Sequence, residues 1–408
     1  MSTASAIRKP VVLVLASYYL PGYRSGGPVR SLSNLIDALG DEFEFHVVTR
    51  DRDLNEKVPY GESQAGHAVR IGKAEIVYYS SSLMVPWKIR KRLKALSPDL
   101  LYFNSFFDSL FTVFPLWLRR LRLIPGVPVL VAPRGEFSTG ALGLKAFKKS
   151  AYLAMARPAG VLAGLRWHAT GDSERSDISR ATGTSALEIS VAPNLGRRLP
   201  KNETEWQPRQ SDALQVAFLS RISPMKNLIW AIEIVRASRV PVHFDIYGPI
   251  GDEEYWRQCR SVMEGSPAHV RITYRGAIEN ERVPEALATY DAFFLPSLGE
   301  NYGHAIVEAL TCGLPVLISD RTPWRGLREA GAGYALPLGD AEPFVAALEA
   351  LWQRSADEVR TMRAAVLAYA DRVHHDSDAV NRTRAMLLAA AGDKVTDGRS
   401  SPSPNQTL

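Results

Sequence analysis

One alternation, run through twice, constrains this chain more than any other feature. Short β-rich apolar stretches take turns with segments of helical period, first over residues 11–192 and again from 216 onward. Continuous apolar runs of four to six residues read as strands buried on both faces, and helix-length connections between them make their neighbours parallel. Strands are expected at Val11 to Ala16, Phe43 to Thr49, Leu100 to Asn104, Val127 to Ala132, Trp167 to Thr170 and Ile189 to Ala192. The second series falls near Val216 to Leu219, His243 to Tyr247, Ile272 to Tyr274, Ala292 to Leu295 and Val316 to Ile318. Between them the chain turns polar and aperiodic, with Arg197, Pro200, Asn202 and Pro208. At 408 residues the chain has room for two domains. The expected class is therefore α/β: a Rossmann-like domain over 1–195, a linker over 196–213 and a second Rossmann-like domain over 214–356. C-terminal helices over 357–391 are expected to cross back to the N-terminal domain, and the Ser- and Pro-rich tail 392–408 to be disordered.

Composition excludes several alternatives. With 46% hydrophobic and 23% charged residues the chain has ordinary globular usage, which disfavours disorder, collagen and coiled coil. Two cysteines, Cys259 and Cys312, cannot make a disulfide framework or a four-thiolate zinc site, and fit a reducing compartment. Neither histidines nor cysteines show metal-ligand spacing, so no metal is expected. Val11 to Ala16 is too short for the apolar region of a signal peptide, and Leu110 to Leu118 falls well short of the roughly 20 residues a spanning helix needs.

The formal charge of +6 is unevenly placed. Residues 85–160 hold thirteen Lys or Arg against three acids, a local +10 that leaves the remainder net acidic. No nucleic-acid motif accompanies this segment, so nucleic acid is not the expected partner. Within it Ile89, Leu93 and Leu96 recur at helical spacing among Lys88, Arg90, Lys91, Arg92 and Lys94, with Trp87 at the start. That pattern fits an anionic membrane surface, and it fits equally a solvated helix with a core-facing stripe.

The chemistry gathers at strand-to-helix turns. The first, Tyr18 to Pro28, lacks the G-x-G-x-x-G of a dinucleotide site but carries Gly26 and Gly27 just before a helix. A glycine pair there lets backbone N–H groups approach an anion, or simply makes a tight turn. In the second domain Leu219 to Asn227 leaves a strand with Arg221 and Lys226 at the carboxyl edge of the sheet, where ligands of open α/β folds bind. Two cations there suit a diphosphate. The densest signal is Ala292 to Leu310, in which a loop with Glu300 leads to a helix starting near Gly303 and ending at Gly313 and Pro315. His304 and Glu308, at i and i+4, share one face of that helix. Trp230, Phe244 and Trp352 read as core rather than as sugar platforms.

These motifs together resemble family 4 of the retaining, nucleotide-sugar-dependent glycosyltransferases, bacterial envelope-polysaccharide type, over roughly residues 11–390. The resemblance implies the GT-B architecture, two Rossmann-like domains facing a cleft. It also implies a nucleoside-diphosphate sugar donor, a hydroxyl acceptor that can be lipid-linked, and no cofactor or metal. Glu300 and Glu308 match the paired-glutamate motif, Glu308 on the donor ribose and Glu300 on the sugar. Asn301, Tyr302, Gly303 and His304 would lie along the sugar and phosphates. Arg221 and Lys226 match the diphosphate clamp, Arg275 to Ile278 the loop beside the base, and Gly26 and Gly27 the glycine loop of the acceptor domain. Ala132 to Ser138 with Lys145 and Lys148, and Thr322 to Arg325, resemble the envelope-polysaccharide subgroup.

Where many relatives carry a histidine beside an acid, this chain has Arg134-Gly135-Glu136, which makes Arg134 and Glu136 the acceptor-side candidates. His168 is either a third or a satisfied strand-end histidine. The basic segment 85–160, in a chain otherwise net acidic, makes the expected location the cytoplasm, with reversible docking on the inner membrane face. A nucleotide-sugar epimerase, a phosphorylase and a non-catalytic sugar-nucleotide-binding subunit share the same scaffold.

Overall fold

The structure, a computed structural model, describes residues 8–61, 66–138, 146–196, 211–374 and 377–392. Most of the expected linker, Lys145 and the tail beyond Gly392 lie outside the described residues. The chain divides into two compact units. One comprises the segment ending at Pro21, Leu32–Pro193 and the stretch from Asp378; the other comprises Gly22–Ser31 and Asn194–Ser377.

The first unit is built on eight strands, β1 (Val11–Leu15), β2 (Glu44–Arg50), β3 (Ala68–Ile71), β4 (Ala74–Tyr79), β5 (Leu100–Phe103), β6 (Val129–Val131), β7 (Arg166–Ala169) and β8 (Ile189–Val191), ordered β3-β4-β2-β1-β5-β6-β7-β8. All neighbours run parallel except β3 and β4. Every residue of β1 and β5 is buried, as central strands of a two-faced parallel sheet require. The β3–β4 hairpin is new relative to the sequence reading. Its outer strand alternates exposed and half-buried positions and so carries no apolar run, while Gly72, at φ +56°, makes the tight turn.

The second unit holds β9 (Leu214–Leu219), β10 (Val242–Tyr247), β11 (Val270–Gly276), β12 (Ala292–Leu295), β13 (Val316–Ser319) and β14 (Gly333–Leu336), ordered β11-β10-β9-β12-β13-β14 and parallel throughout. This doubly wound order reverses between β9 and β12, which is where ligands of such sheets bind. β14, also unforeseen, opens on Gly333, where a Cβ would sit 2.1 Å from the Val316 carbonyl oxygen. Phe244 lies in the core of this unit, with Trp230 and Trp352 packed against it.

The described helices are α1 (Gly27–Leu39), α2 (Val85–Leu96), α3 (Phe114–Arg120), α4 (Ala146–Ala156), α5 (Asp172–Thr182), α6 (Leu228–Ala237), α7 (Glu253–Met263), α8 (Val283–Leu287), α9 (His304–Thr311), α10 (Glu342–Trp352), α11 (Ala356–His374) and α12 (Ser377–Ala391). α11 packs with the second unit, against α9. α12 belongs to the first, where Arg384 forks onto both carboxylate oxygens of Glu42 and Arg166 donates to the Ala389 carbonyl. No helix among the described residues is long and apolar enough to cross a membrane.

For the basic helix α2 the structure matches the core-facing stripe, one of the two readings that the sequence left open. Ile89 and Leu93 are core residues, so the apolar stripe is not offered to lipid. Arg92 pairs with Glu75, and Arg90 donates to the Leu123 carbonyl while stacking over Trp87. Lys88, Lys91 and Lys94 face solvent, beside exposed Leu83, Met84 and Trp87.

Candidate active site

In the second unit the loops after β9 and β12 lie side by side. Beyond β9 the chain makes a single 3₁₀ turn, Pro224–Lys226, and then Asn227, at φ +56°, starts α6. Two contacts zip this turn to the loop after β12: Leu298 N–H donates to the Met225 carbonyl at 2.9 Å, and Asn227 Nδ2 to the Pro296 carbonyl at 3.1 Å. The zipper brings Lys226 Nζ to 2.5 Å from Glu300 Oε1, with side chains only 19% and 10% exposed. Arg221 shares this environment. Surrounding protein lowers its guanidinium pKa and the Glu300 charge opposes that shift, yet Arg221 reaches solvent and stays charged. Its aliphatic chain packs over Gly251, where a Cβ would come within 2.8 Å of Arg221 Cγ and Cδ.

Gly303, at φ +78°, caps α9, and Ile306 and Val307 donate back to its carbonyl. A side chain at 303 would press within 2.8 Å of Ile306 Cδ1. The indole N–H of Trp324 donates to the Tyr302 carbonyl at 2.6 Å, and the Tyr302 ring meets the rings of His304 and Trp324 edge-on, fixing the approach to the helix. The N-terminus of α9, with its partial positive charge, follows four residues after Glu300, the partner of Lys226. Asn301 is exposed and Ile278 half-buried against the core.

Gly22–Ser31 belongs to this unit and meets the same helix. Gly26 has φ +70°, and a Cβ on Gly27 would lie 3.8 Å from the His304 ring. Ser31 Oγ is 2.7 Å from His304 Nε2, and Arg30 Nη1 is 2.6 Å from Glu308 Oε2. Arg30 and its second partner Asn280 were not singled out in the sequence, although Arg30 stands three residues after Gly27, one helical turn on. Among the described residues no group of three or more His, Cys, Asp or Glu gathers as a metal site would.

In the first unit, Arg134 (φ +57°) and Gly135 (φ +83°) form a left-handed turn after β6. Arg134 donates through Nε to Asn104 Oδ1 at 2.8 Å and through Nη2 to the Tyr102 hydroxyl at 2.9 Å. The Tyr102 hydroxyl lies 2.9 Å from His168 Nδ1, and His168 Nε2 lies 2.8 Å from the Ala192 carbonyl. A carbonyl only accepts, so Nε2 carries the proton and Nδ1 accepts from Tyr102. His168 is 2% exposed with both nitrogens engaged. Of the two readings the sequence left open, the geometry matches the satisfied strand-end histidine, which is linked to Arg134 through Tyr102.

Glu136 likewise turns inward. Its carboxylate accepts from the backbone N–H groups of Phe106 and Phe107 and from Ser105 Oγ, and burial raises its pKa against those donors. Glu174, which the sequence reading missed, holds the turn from the other side. It accepts from Gly135 N–H at 2.6 Å and from Thr170 N–H and Oγ1 at 2.8 and 2.6 Å. An acid at the third position of a helix, reaching back past its cap, was the available signal.

Burial pulls the His168 pKa down to about 3 from 6.5. Between those values the unfolded chain binds a proton that the folded chain does not, so stability falls as pH drops below 6.5. Going from pH 7 to pH 5 should remove about 2 kcal/mol through this residue. Unfolding followed at both pH values should show a smaller acid loss in His168→Gln than in the wild type. Identical losses would take His168 out of the acid response.

Residues 201–366 match the family model described as glycosyl transferases group 1. That match covers most of the second unit and is a likeness over part of the chain. It contains Arg221, Lys226, Ile278 and the whole of 300–308. Among curated proteins, the chain is 31% identical over 198 residues to a phosphatidyl-myo-inositol mannosyltransferase of Mycobacterium leprae, covering 45% of this chain and 51% of that protein. It is 28% identical over 192 residues to the amylovoran biosynthesis glycosyltransferase AmsK of Erwinia amylovora, covering 45% and 47%. The chain thus spans about half the length of the curated relatives it matches. Solved structures extend the likeness to the whole fold. Anabaena HepE in complex with UDP-glucose aligns over 92% of this chain and 99% of its own, with a TM-score of 0.65 and 18% identity. WaaG, a glycosyltransferase involved in lipopolysaccharide biosynthesis, aligns over 95% and 100%, with a TM-score of 0.62 and 15% identity. The matched segment therefore lies in a chain of the GT-B fold.

Proposed function

We propose that the chain moves a glycosyl unit from a nucleoside-diphosphate sugar to a hydroxyl acceptor, with retention of configuration, in the synthesis of a cell-surface polysaccharide or glycolipid. The observation that carries this reading is the Lys226–Glu300 pair between the loops after β9 and β12, where the sheet order reverses, with Arg221 feeling the Glu300 charge. Two cations grouped with a carboxylate, four residues before a helix N-terminus, suit a departing diphosphate, and in this reading the protein supplies the charge stabilisation. In this reading Glu300, already paired with Lys226, takes a sugar hydroxyl, and Glu308 the ribose. In this scheme the bond from the anomeric carbon to the phosphate oxygen breaks, and the acceptor oxygen bonds to the same face. The acceptor's proton passes to the departing phosphate. The names of the relatives, a mannosyltransferase of a phosphoinositide and an amylovoran glycosyltransferase, support a lipid-linked or polysaccharide acceptor.

A panel of nucleotide sugars, incubated with and without bacterial lipid extract, tests this. A glycosylated product whose anomeric configuration matches the donor supports the proposal. Epimerised donor, phosphorolysis or tight binding with no turnover would each replace it with the corresponding alternative.

We place the enzyme on the inner face of the membrane, in the cytoplasm. Support comes from Lys88, Lys91 and Lys94 standing beside exposed Trp87, Leu83 and Met84. Each cation near an anionic leaflet contributes about 1 kcal/mol, within a Debye length of about 8 Å. Co-sedimentation with vesicles should need anionic lipid, weaken in high salt and fall several-fold when those three lysines become Gln. Equal recovery with neutral vesicles would leave the patch an ordinary solvated surface.

A further inference from the structure

Arg30 grips a helix and a loop of the candidate site with one guanidinium. Nη1 lies 2.6 Å from Glu308 Oε2, while Nε and Nη2 lie 3.1 and 2.5 Å from Asn280 Oδ1. Glu308 stands on α9, and Asn280 follows Ile278 in the loop after β11. The ion pair is largely buried, with side chains 17% and 15% exposed, so solvent screens it little. A carboxylate accepts about four hydrogen bonds, so the Arg30 contact on Oε2 does not by itself exhaust the group. Lysine could not reproduce the arrangement, because a point charge has no planar fork to span two acceptors.

We propose that Arg30 is a positioning residue for the nucleoside end of the donor. It holds the Glu308 carboxylate in the orientation that receives the ribose hydroxyls and ties the Asn280 loop to it, so that helix and loop form one preorganised surface. This rests on the donor-site reading above. Arg30 acts through Glu308 and Asn280, not on the phosphates, which lie with Lys226 and Arg221. Its loss is therefore expected to weaken ligands that carry a ribose and to spare those that do not.

Calorimetric titration of the full chain with UDP, GDP, ADP and inorganic pyrophosphate tests this. For whichever nucleotide the wild type binds, Arg30→Gln should raise Kd at least 10-fold and Arg30→Lys by an intermediate factor. Pyrophosphate affinity should stay within twofold. In a Glu308→Gln background, Arg30→Gln should change nucleotide affinity less than threefold, because the group it positions is already altered. Asn280→Ala, which keeps the ion pair and removes half of the fork, should weaken nucleotide binding about threefold and serves if Arg30→Gln does not fold. Unchanged or tighter nucleotide binding in the Arg30 variants would overturn the proposal, the tighter case making Arg30 a plug. An equal loss of pyrophosphate would overturn it as well. A wild type that binds none of the three nucleotides would instead overturn the donor-site reading and take the Arg30 assignment with it.

Discussion

Lys226→Ala should lower the rate of glycosyl transfer by about 10²- to 10³-fold, the usual effect of deleting one preorganised charge that acts on a departing group. The lysine cannot swing far. It sits on a one-turn 3₁₀ segment clamped by the Leu298–Met225 backbone contact, and its ammonium lies 2.5 Å from Glu300. Part of any loss will come from the Glu300 carboxylate, left without its partner in a poorly solvated place. Steady-state kinetics on Lys226→Ala and Lys226→Gln separate the contributions. A transition-state role predicts a fall in kcat larger than any rise in KM. Turnover within threefold of the wild type in both variants would remove Lys226 from the mechanism.

Gly248→Ala should destabilise the second unit by about 3–5 kcal/mol and take donor binding with it. Gly248 follows β10 at φ +139°, and a Cβ there would fall 1.8 Å from the Ser220 carbonyl oxygen. No rotamer relieves that overlap, because both partners are backbone. The strand end would have to move, and Ser220 is the residue that leads into Arg221. Gly339 supplies the control. At φ +105° with no atom within 4 Å of an added Cβ, Gly339→Ala carries backbone strain without a collision and should cost about 1–2 kcal/mol. Calorimetry of both variants decides it: equal, small losses would mean that the close approach of β9 and β10 carries no energetic weight.

Several features of the site were legible in the chain because they are local. Gly26, Gly27 and Gly303 announce turns, Arg221 and Lys226 follow a strand directly, and Glu300 and Glu308 flank a helix start. Arg30 was not legible in the same way, since its partner lies 278 residues away. The meaning of Arg134-Gly135-Glu136 also escaped local reading. Whether Glu136 faces an acceptor or the backbone of Phe106 and Phe107 depends on how the chain after β5 folds against the turn after β6. Helix α2 gives the same lesson in another form. A stripe at helical spacing declares an amphipathic helix but not what the stripe meets, and here Ile89 and Leu93 meet the core.

The sequence by itself determined the alternating architecture, because burial on both faces of a parallel sheet demands unbroken apolar runs such as Val11–Leu15 and Ala292–Leu295. It also determined which loops follow strand ends, and so where charged side chains could gather. Only the tertiary structure decided which of them do gather. The Lys226–Glu300 and Arg30–Glu308 pairs, and the sealed chain from Arg134 through Tyr102 to His168, join segments 74, 278 and 32 to 66 residues apart. Apolar periodicity is a property of neighbours along the chain, whereas the burial and partners that give a charge its role come from residues distant in sequence and close in space.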